Sequence, residues 1–268
     1  SDRELTISCG CALFNLRVAA AHAGVPLRIR LLPDAQDADL LATVEMASAG
    51  AVASDLVPYW DALTWRRTYR KAFVDRAVNQ IAVEALVQAA AEELAWLQPL
   101  EGEATRRDLA ALAAEGDELQ WANPSWRREL AQWMHPRRQG DGLSMPGLAV
   151  PIAQAVVRTF DMGHGVGAKD QELADASPLL AVLGTTADSP EHWLIAGQAL
   201  QGVLLEASTL VLQASYLNQP VQVPALRPRL QQLLGQKGLP QIVLRLGHPA
   251  TALATASRRP MDEVIDTA

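Results

Sequence analysis

Cysteine is scarce in this sequence, with two among 268 residues. Cys9 and Cys11 are separated by a single residue, which is poor spacing for a mutual disulfide, and two thiols supply at most half of a structural metal site. The five histidines are scattered along the chain without ligand spacing. We therefore expect no metal site. Low cysteine use is also typical of a reducing compartment and predicts a cytoplasmic protein.

An excess of positive charge is also lacking, because 23 Lys and Arg residues face 30 Asp and Glu residues, for a net charge of −7. This balance argues against general binding to nucleic acid or to an anionic membrane. The longest apolar runs are interrupted by polar residues within about ten positions, too short to span a bilayer. The chain shows no recognisable signal peptide. We expect neither nucleic acid nor a membrane as a partner.

The composition that is present, 49% hydrophobic and 20% charged residues, is that of a globular protein with one large domain or two modest ones. Apolar periodicity predicts helices over 5–23, 76–93, 105–116, 124–134, 190–213 and 224–234, and strands over 27–32, 40–46, 95–100, 178–185 and 239–246. Residues 136–177 are punctuated by glycines and predict an irregular connection. A connection of that length is typically a cover or a mobile segment.

A short basic stretch, Arg66-Arg67-Thr68-Tyr69-Arg70, precedes the predicted helix over 76–93. Three guanidinium groups and a hydroxyl suit a phosphate, because arginine binds phosphate oxygens as a bidentate fork and a helix start adds backbone N–H donors. The stretch is equally compatible with a solvated basic turn, since charge runs usually lie on the surface. Spacing alone leaves both interpretations open.

An internal repeat links the two ends of the chain. Gly10-Cys11-Ala12-Leu13 near the start matches Gly197-Gln198-Ala199-Leu200 near the end, and each Gly-x-Ala-Leu motif lies in a long apolar helical pattern. Each copy is followed by an extended segment rich in Arg and Leu, 28–32 in the first and 243–246 in the second. Two copies of one unit predict a pseudo-twofold arrangement, a dimer fused into one chain.

With these motifs the chain resembles the nitroreductase superfamily, and within it the fused, Acg-like branch. Three segments carry the resemblance: 3–15 around the first Gly-x-Ala-Leu motif, the Arg66-Arg67-Thr68-Tyr69-Arg70 stretch, and 193–200 around the second motif, with 238–241 and Arg258-Arg259-Pro260 downstream. Together they cover most of the chain in the expected order, and residues 136–177 match least.

The resemblance implies an α+β fold with a mostly antiparallel sheet wrapped by helices, repeated as two halves. Residues 1–58 would form a partial first half that lacks its front part, and residues 59–268 the second half. Within the second half, residues 136–177 would be a lid over the cleft. The protein would be either a pseudo-dimeric monomer or a homodimer.

The resemblance further implies an FMN-dependent oxidoreductase that takes electrons from NAD(P)H and passes them to a small nitro or quinone-like acceptor. Arg66, Arg67, Thr68 and Arg70 would hold the phosphate and ribityl chain of FMN, with Arg258 or Arg259 closing the phosphate site. No side chain stands out as a catalytic acid or base, which suits chemistry carried by a flavin. The alternative is a binding protein that sequesters FMN with little turnover.

Overall fold

The computed structural model describes residues 2–136, 143–145, 149–159, 162–252 and 260–263. Four antiparallel strands form the central sheet, in the spatial order β3 (Trp96–Pro99), β6 (Leu179–Thr185), β8 (Leu239–Gly247) and β7 (Gln213–Tyr216). The continuous apolar run of β6 is explained by its position, because every residue of this inner strand is buried. The predicted α+β class with a mostly antiparallel sheet is confirmed.

Helices cover both faces of this sheet. One face packs against α1 (Asp2–His22), α3 (Gln80–Glu92) and α8 (Pro190–Thr209), and the other against α4 (Glu103–Ala122), α9 (Gln219–Gln222) and α10 (Arg227–Leu234). Alternation along β6 separates the two cores: Ala181 and Leu183 join the α8 side, and Leu180 and Val182 the α4 side. Burial of such alternating side chains is the main favourable contribution to folding.

The two ends of the chain share an order of elements. Helix α1 leads into a hairpin of β1 (Leu27–Leu31) and β2 (Ala42–Met46), and α8 leads into the antiparallel neighbours β7 and β8. When Gly10 is aligned with Gly197, Gly24 falls on Val211, and both have left-handed φ angles, of 71° and 58°. The predicted match between 28–32 and 243–246 is therefore wrong in register, because β1 corresponds to β7 rather than to β8.

The predicted helix over 190–213 is too long, because α8 ends at Thr209. The N–H of Leu212 bonds to the carbonyl of Ala207 at 2.8 Å, and Val211 adopts the left-handed conformation that terminates the helix. Glycine usually marks such an end. Since valine occupies the position here, the sequence conceals both the stop and the strand β7 that follows it.

Residues 136–177 are not irregular as predicted, since they contain α6 (Val150–Thr159) and α7 (Gly163–Asp175). Helix α7 packs along α4, where Gly167 lies so close to Ala114 that an added Cβ would come within 3.0 Å of its carbonyl oxygen. Helix α6 packs on α5 (Pro124–Gln132). Gly167 thus serves close helix packing, and the role of this segment as a lid stays a prediction.

Helix α1 differs from the sequence-based expectation in one respect, because by length and hydropathy it could cross a membrane. One face of it is buried against α8 through Ile7, Leu13 and Phe14. The core helix of a folded domain meets the same criteria of length and apolarity.

Candidate functional site

The basic stretch is an extended segment rather than the start of a helix. Arg66 follows the last residue of α2 (Trp60–Trp65), and α3 begins only at Gln80, where the Asn79 side chain caps it. The stretch runs beside β7, because the N–H of Tyr69 donates to the carbonyl of Ala214 at 2.9 Å. The expected contribution of helix N–H groups next to the arginines is therefore wrong.

A buried arginine that the sequence analysis missed fixes this segment. The Nη2 of Arg245, on β8, donates to the carbonyls of Tyr69 at 3.1 Å and Lys71 at 3.0 Å, and the guanidinium lies 4.9 Å from the ring centre of Phe73. The Tyr69 hydroxyl in turn accepts the N–H of Ala250 at 3.0 Å. The sequence does carry one signal for this buried arginine, because a charged residue stands inside the apolar run of β8.

Consecutive residues of the extended stretch face opposite sides, as the two-residue period of a strand requires. Arg66 lines a cleft of about 470 Å³ on one side. Arg67 lines a separate cavity of about 520 Å³, the Trp65 cavity, whose wall consists of Thr64, Trp65, Arg67, Gln213, Pro249, Thr251 and Ala252. The structure therefore brings Arg66 and Arg67 to different places.

The Arg67 side chain also serves the local backbone. Its Nη1 donates to the carbonyls of Thr64 at 2.7 Å and Arg66 at 2.8 Å, and its own N–H donates to Oε1 of Gln213. These bonds close the end of α2 and attach the stretch to β7. The expectation that Arg67 shares a phosphate site with Arg66 is corrected for this physical reason.

The Arg66 cleft lies between the two repeated helices. Its wall is formed by α1, the basic stretch, α8, the end of β7, the chain through α9 and one residue of β8. The lining residues are Glu4, Ile7, Ser8, Cys11, Arg66, Leu200, Gln201, Leu204, Tyr216, Asn218, Gln222 and Ile242. The apolar members Ile7, Leu200 and Leu204 belong to or border the core. A cleft of this size with apolar walls and a few polar groups is typical of small-molecule sites.

The electrostatics of the cleft are dominated by Arg66. Its guanidinium forms no hydrogen bond or ion pair with the described residues, and the other charged side chain in the wall is the carboxylate of Glu4. Burial raises the pKa of Tyr216 to about 12, and the charges of Arg66 and Arg70 partly offset this rise. The charges of Arg66 and Arg70 thus act on the same tyrosine.

Cys11 lies in the same cleft. Burial raises the pKa of its thiol to about 12, partly offset by Arg66, and the thiol donates to the carbonyl of Gly197 at 3.1 Å. Such a thiol is protonated at neutral pH and unreactive as a nucleophile. It belongs to the contact between α1 and α8.

Of the remaining predicted site residues, the structure describes Thr68 and Arg70 but not Arg258 and Arg259. Thr68 pairs with Ala214 beside the cleft, and Arg70 is exposed. Arg258 and Arg259 lie outside the described residues. No cluster of metal-ligating side chains occurs among the residues that the structure describes.

The donor set of the Arg66 cleft fits a flat aromatic ligand that carries an anion. Arg66 supplies positive charge in the wall, and Ile7, Leu200 and Leu204 supply an apolar surface. Arg70 is not a wall residue, but its charge acts on Tyr216, which is. Asn218 lines the cleft while its oxygen accepts the N–H of Val243 at 2.9 Å, which fixes its orientation. FMN has this combination of a flat ring and a phosphate.

Comparison with known proteins gives relatives over nearly the whole chain, although no family model matches. An uncharacterized protein of Mycobacterium tuberculosis is 28% identical over 273 residues, covering 99% of this chain and 78% of the relative. A second protein of this organism is provisionally named as the NAD(P)H nitroreductase Acg. It is 27% identical over 275 residues, and the match covers 98% of this chain and 81% of the relative. PigM of Serratia, also provisionally named as an NAD(P)H nitroreductase, is 24% identical. The match covers 99% of this chain and 80% of PigM.

Solved structures of nitroreductases and related flavin oxidoreductases align with part of this chain. Nitroreductase A from Vibrio parahaemolyticus has a TM-score of 0.48 at 16% identity, and an NADPH:FMN oxidoreductase from Vibrio harveyi has 0.48 at 15% identity. Each alignment covers 78% of this chain and 76% of the other. The relatives named as NAD(P)H nitroreductases match 98–99% of the length of this chain, so the chain is similar to proteins of the nitroreductase superfamily over nearly its whole length.

Proposed function

We propose that this protein binds FMN in the Arg66 cleft and is an oxidoreductase that passes electrons from NAD(P)H to a small nitro or quinone-like acceptor. The observation that carries the proposal is the guanidinium of Arg66, which lines a largely apolar cleft and forms no ion pair with a described residue. The relatives named as NAD(P)H nitroreductases support the reaction class.

In this proposal Arg66 and Arg70 bind the phosphate of FMN, and Thr68 lies beside it. Arg67 has no part, since its guanidinium bonds to the carbonyls of Thr64 and Arg66. Arg258 and Arg259 stay predicted members of the phosphate site. Bound FMN would supply the electron transfer, and the chain's own residues would bind, orient and shield the ring.

The neighbouring arginines provide a matched pair for testing the site. Arg66→Gln should weaken FMN binding roughly 10- to 150-fold, since one charge-assisted contact contributes about 1.5–3 kcal/mol. Arg67→Gln should change FMN affinity less than about threefold. Quenching of flavin fluorescence measures both dissociation constants, and riboflavin, which lacks the phosphate, should bind both variants alike. Equal losses in the two variants would contradict the assignment.

The reaction requires its own test. NADPH added under anaerobic conditions should bleach the absorbance of bound FMN, and a nitro or quinone acceptor should restore it. A protein that binds FMN tightly but is not bleached would be a flavin-sequestering protein instead. A protein that binds no FMN would rule out both functions for this chain.

A further inference from the structure

A second cavity, the tryptophan cavity, adjoins the Arg66 cleft and shares Glu4 and Gln222 with it. Its volume is about 520 Å³. Its wall consists of Glu4, Leu119, Gln120, Asn123, Trp126, Glu129, Leu130, Trp133, Gln222, Val223 and Pro224. The proposed function leaves this cavity without an occupant.

One wall of the tryptophan cavity is a face of α5 and of Trp133, the residue directly after it. Glu129 and Leu130 lie three and four residues after Trp126, and Trp133 lies four and three residues after them, so all four side chains share one side of the helix. Trp126 is held in place by Trp121, with ring centres 5.3 Å apart in an edge-to-face arrangement, and it packs with Leu130 on a buried cluster. Packing therefore fixes the part of this wall that Trp126 and Leu130 form.

The mouth of the cavity exposes large apolar side chains. Trp133 is 56% exposed and Leu119 is 46% exposed, on α5 and α4. Both are lining residues, so the apolar surface is continuous from the mouth inward. An exposed indole beside a formed cavity is typical of a ligand-binding surface.

The charged side chains in the wall of the cavity are both carboxylates, those of Glu4 and Glu129, and no Arg, Lys or His lines it among the described residues. Glu129 forms no ion pair with a described residue, whereas Glu4 lies 3.8 Å from Arg3. Arg127 and Arg128 stand outside the wall, where Arg128 donates to Ser125 at 2.9 Å and Arg127 donates to the carbonyl of Trp121.

We propose that the tryptophan cavity binds an organic cation of the quaternary ammonium class. Indole faces attract such cations through the ring quadrupole, and the carboxylate of Glu129 adds electrostatic attraction for a cation. The same carboxylate disfavours anions, which argues against the phosphates of NAD(P)H as the occupant. The binding requires no flavin.

Three small molecules of one shape test the proposal: choline, its neutral isostere 3,3-dimethylbutan-1-ol, and the anion 3,3-dimethylbutanoate. Calorimetry and tryptophan fluorescence on the flavin-free protein should show saturable binding of choline. The neutral alcohol should bind at least about fivefold more weakly, and the anion should not bind. Equal affinity for choline and the alcohol would overturn the proposal.

Two variants locate the binding. Trp133→Leu, at a largely exposed position that leaves the core intact, should weaken choline binding at least about fivefold, and Glu129→Gln should weaken binding of choline but not of the alcohol. Trp65→Leu is the matched control, because Trp65 is 75% exposed and lines the separate Trp65 cavity. Loss of binding in Trp65→Leu, or unchanged binding in Trp133→Leu, would exclude the tryptophan cavity. Neither result depends on FMN.

Discussion

Gly10 and Gly197 are in contact where α1 crosses α8, and the surroundings of one glycine repeat those of the other. A Cβ built on Gly10 would lie 2.4 Å from the carbonyl oxygen of Leu194, and one built on Gly197 would lie 2.0 Å from that of Ile7. Leu194 and Ile7 each precede their own glycine by three residues. Such a reciprocal contact is expected at a twofold axis, and it joins the two Gly-x-Ala-Leu motifs.

Gly10→Ala and Gly197→Ala should each destabilise the protein by roughly 1–3 kcal/mol, because the added methyl group must push the two helices apart. Gly165→Ala is the control, since nothing lies within 4 Å of its added Cβ, and alanine in a helix should be neutral or stabilising by up to about 1 kcal/mol. Urea denaturation measures all three. Similar stabilities for Gly10→Ala and Gly165→Ala would show that the crossing can relax at little cost.

Acid should weaken the protein through Asp188. Burial opposes ionisation of this carboxylate, but hydrogen bonds from Arg227, Trp193 and Gln241 outweigh it and lower the pKa. Because the folded-state pKa is below the unfolded value of about 4, the stabilisation is complete above that pH and is lost as pH falls toward the folded value. Asp188→Asn should therefore cost roughly 1–3 kcal/mol at pH 7 and less at pH 3.

The control for this measurement is Glu115→Gln. Glu115 pairs with Arg229 at 2.6 Å, but both side chains are largely exposed, so the substitution should cost less than about 1 kcal/mol. Thermal unfolding followed between pH 7 and pH 3 provides the comparison. If the difference in stability between the wild type and Asp188→Asn stays constant over this range, the stabilising role of ionised Asp188 is contradicted.

The two cysteines should differ in reactivity. Since burial raises the pKa of Cys11 to about 12, iodoacetamide at pH 7.5 should modify it at least about a hundredfold more slowly in the native protein than in urea. The variant Cys9→Ser isolates this thiol, and mass spectrometry follows its modification. Rapid labelling of the native Cys9→Ser variant would contradict burial of the Cys11 thiol and would favour a redox role for it.

Arg245 should hold the basic stretch in position. Arg245→Met removes the bonds to the carbonyls of Tyr69 and Lys71, and we expect a loss of roughly 2–4 kcal/mol in the free energy of unfolding. Trypsin should then cut within residues 66–71 faster than in the wild type, under conditions where both proteins are folded. Arg245→Lys should rescue only part of the effect, because an ammonium lacks the planar fork. Unchanged cleavage would mean that β7 alone fixes the stretch.

Much of this protein could be predicted from local sequence. Ser189 followed by Pro190 marks the start of α8, and the Ser189 hydroxyl accepts the N–H of His192 there. The uninterrupted apolar run of β6 predicted a buried strand, and the Gly-x-Ala-Leu motifs predicted two related helices. These features depend on periodicity, capping and small residues, which are written within a few neighbouring positions.

The site itself was decided by tertiary structure. Adjacent arginines look equivalent in sequence, yet pairing of the stretch with β7 extends its backbone and sends Arg66 and Arg67 to opposite sides. No local sequence feature predicts that pairing, because the helix before β7 ends at Val211 without a glycine. Arg245, which fixes the stretch, belongs to a strand distant in sequence. The sequence alone determined that a basic cluster and two related helices exist. Only long-range packing determined which arginine charge faces the cleft between them.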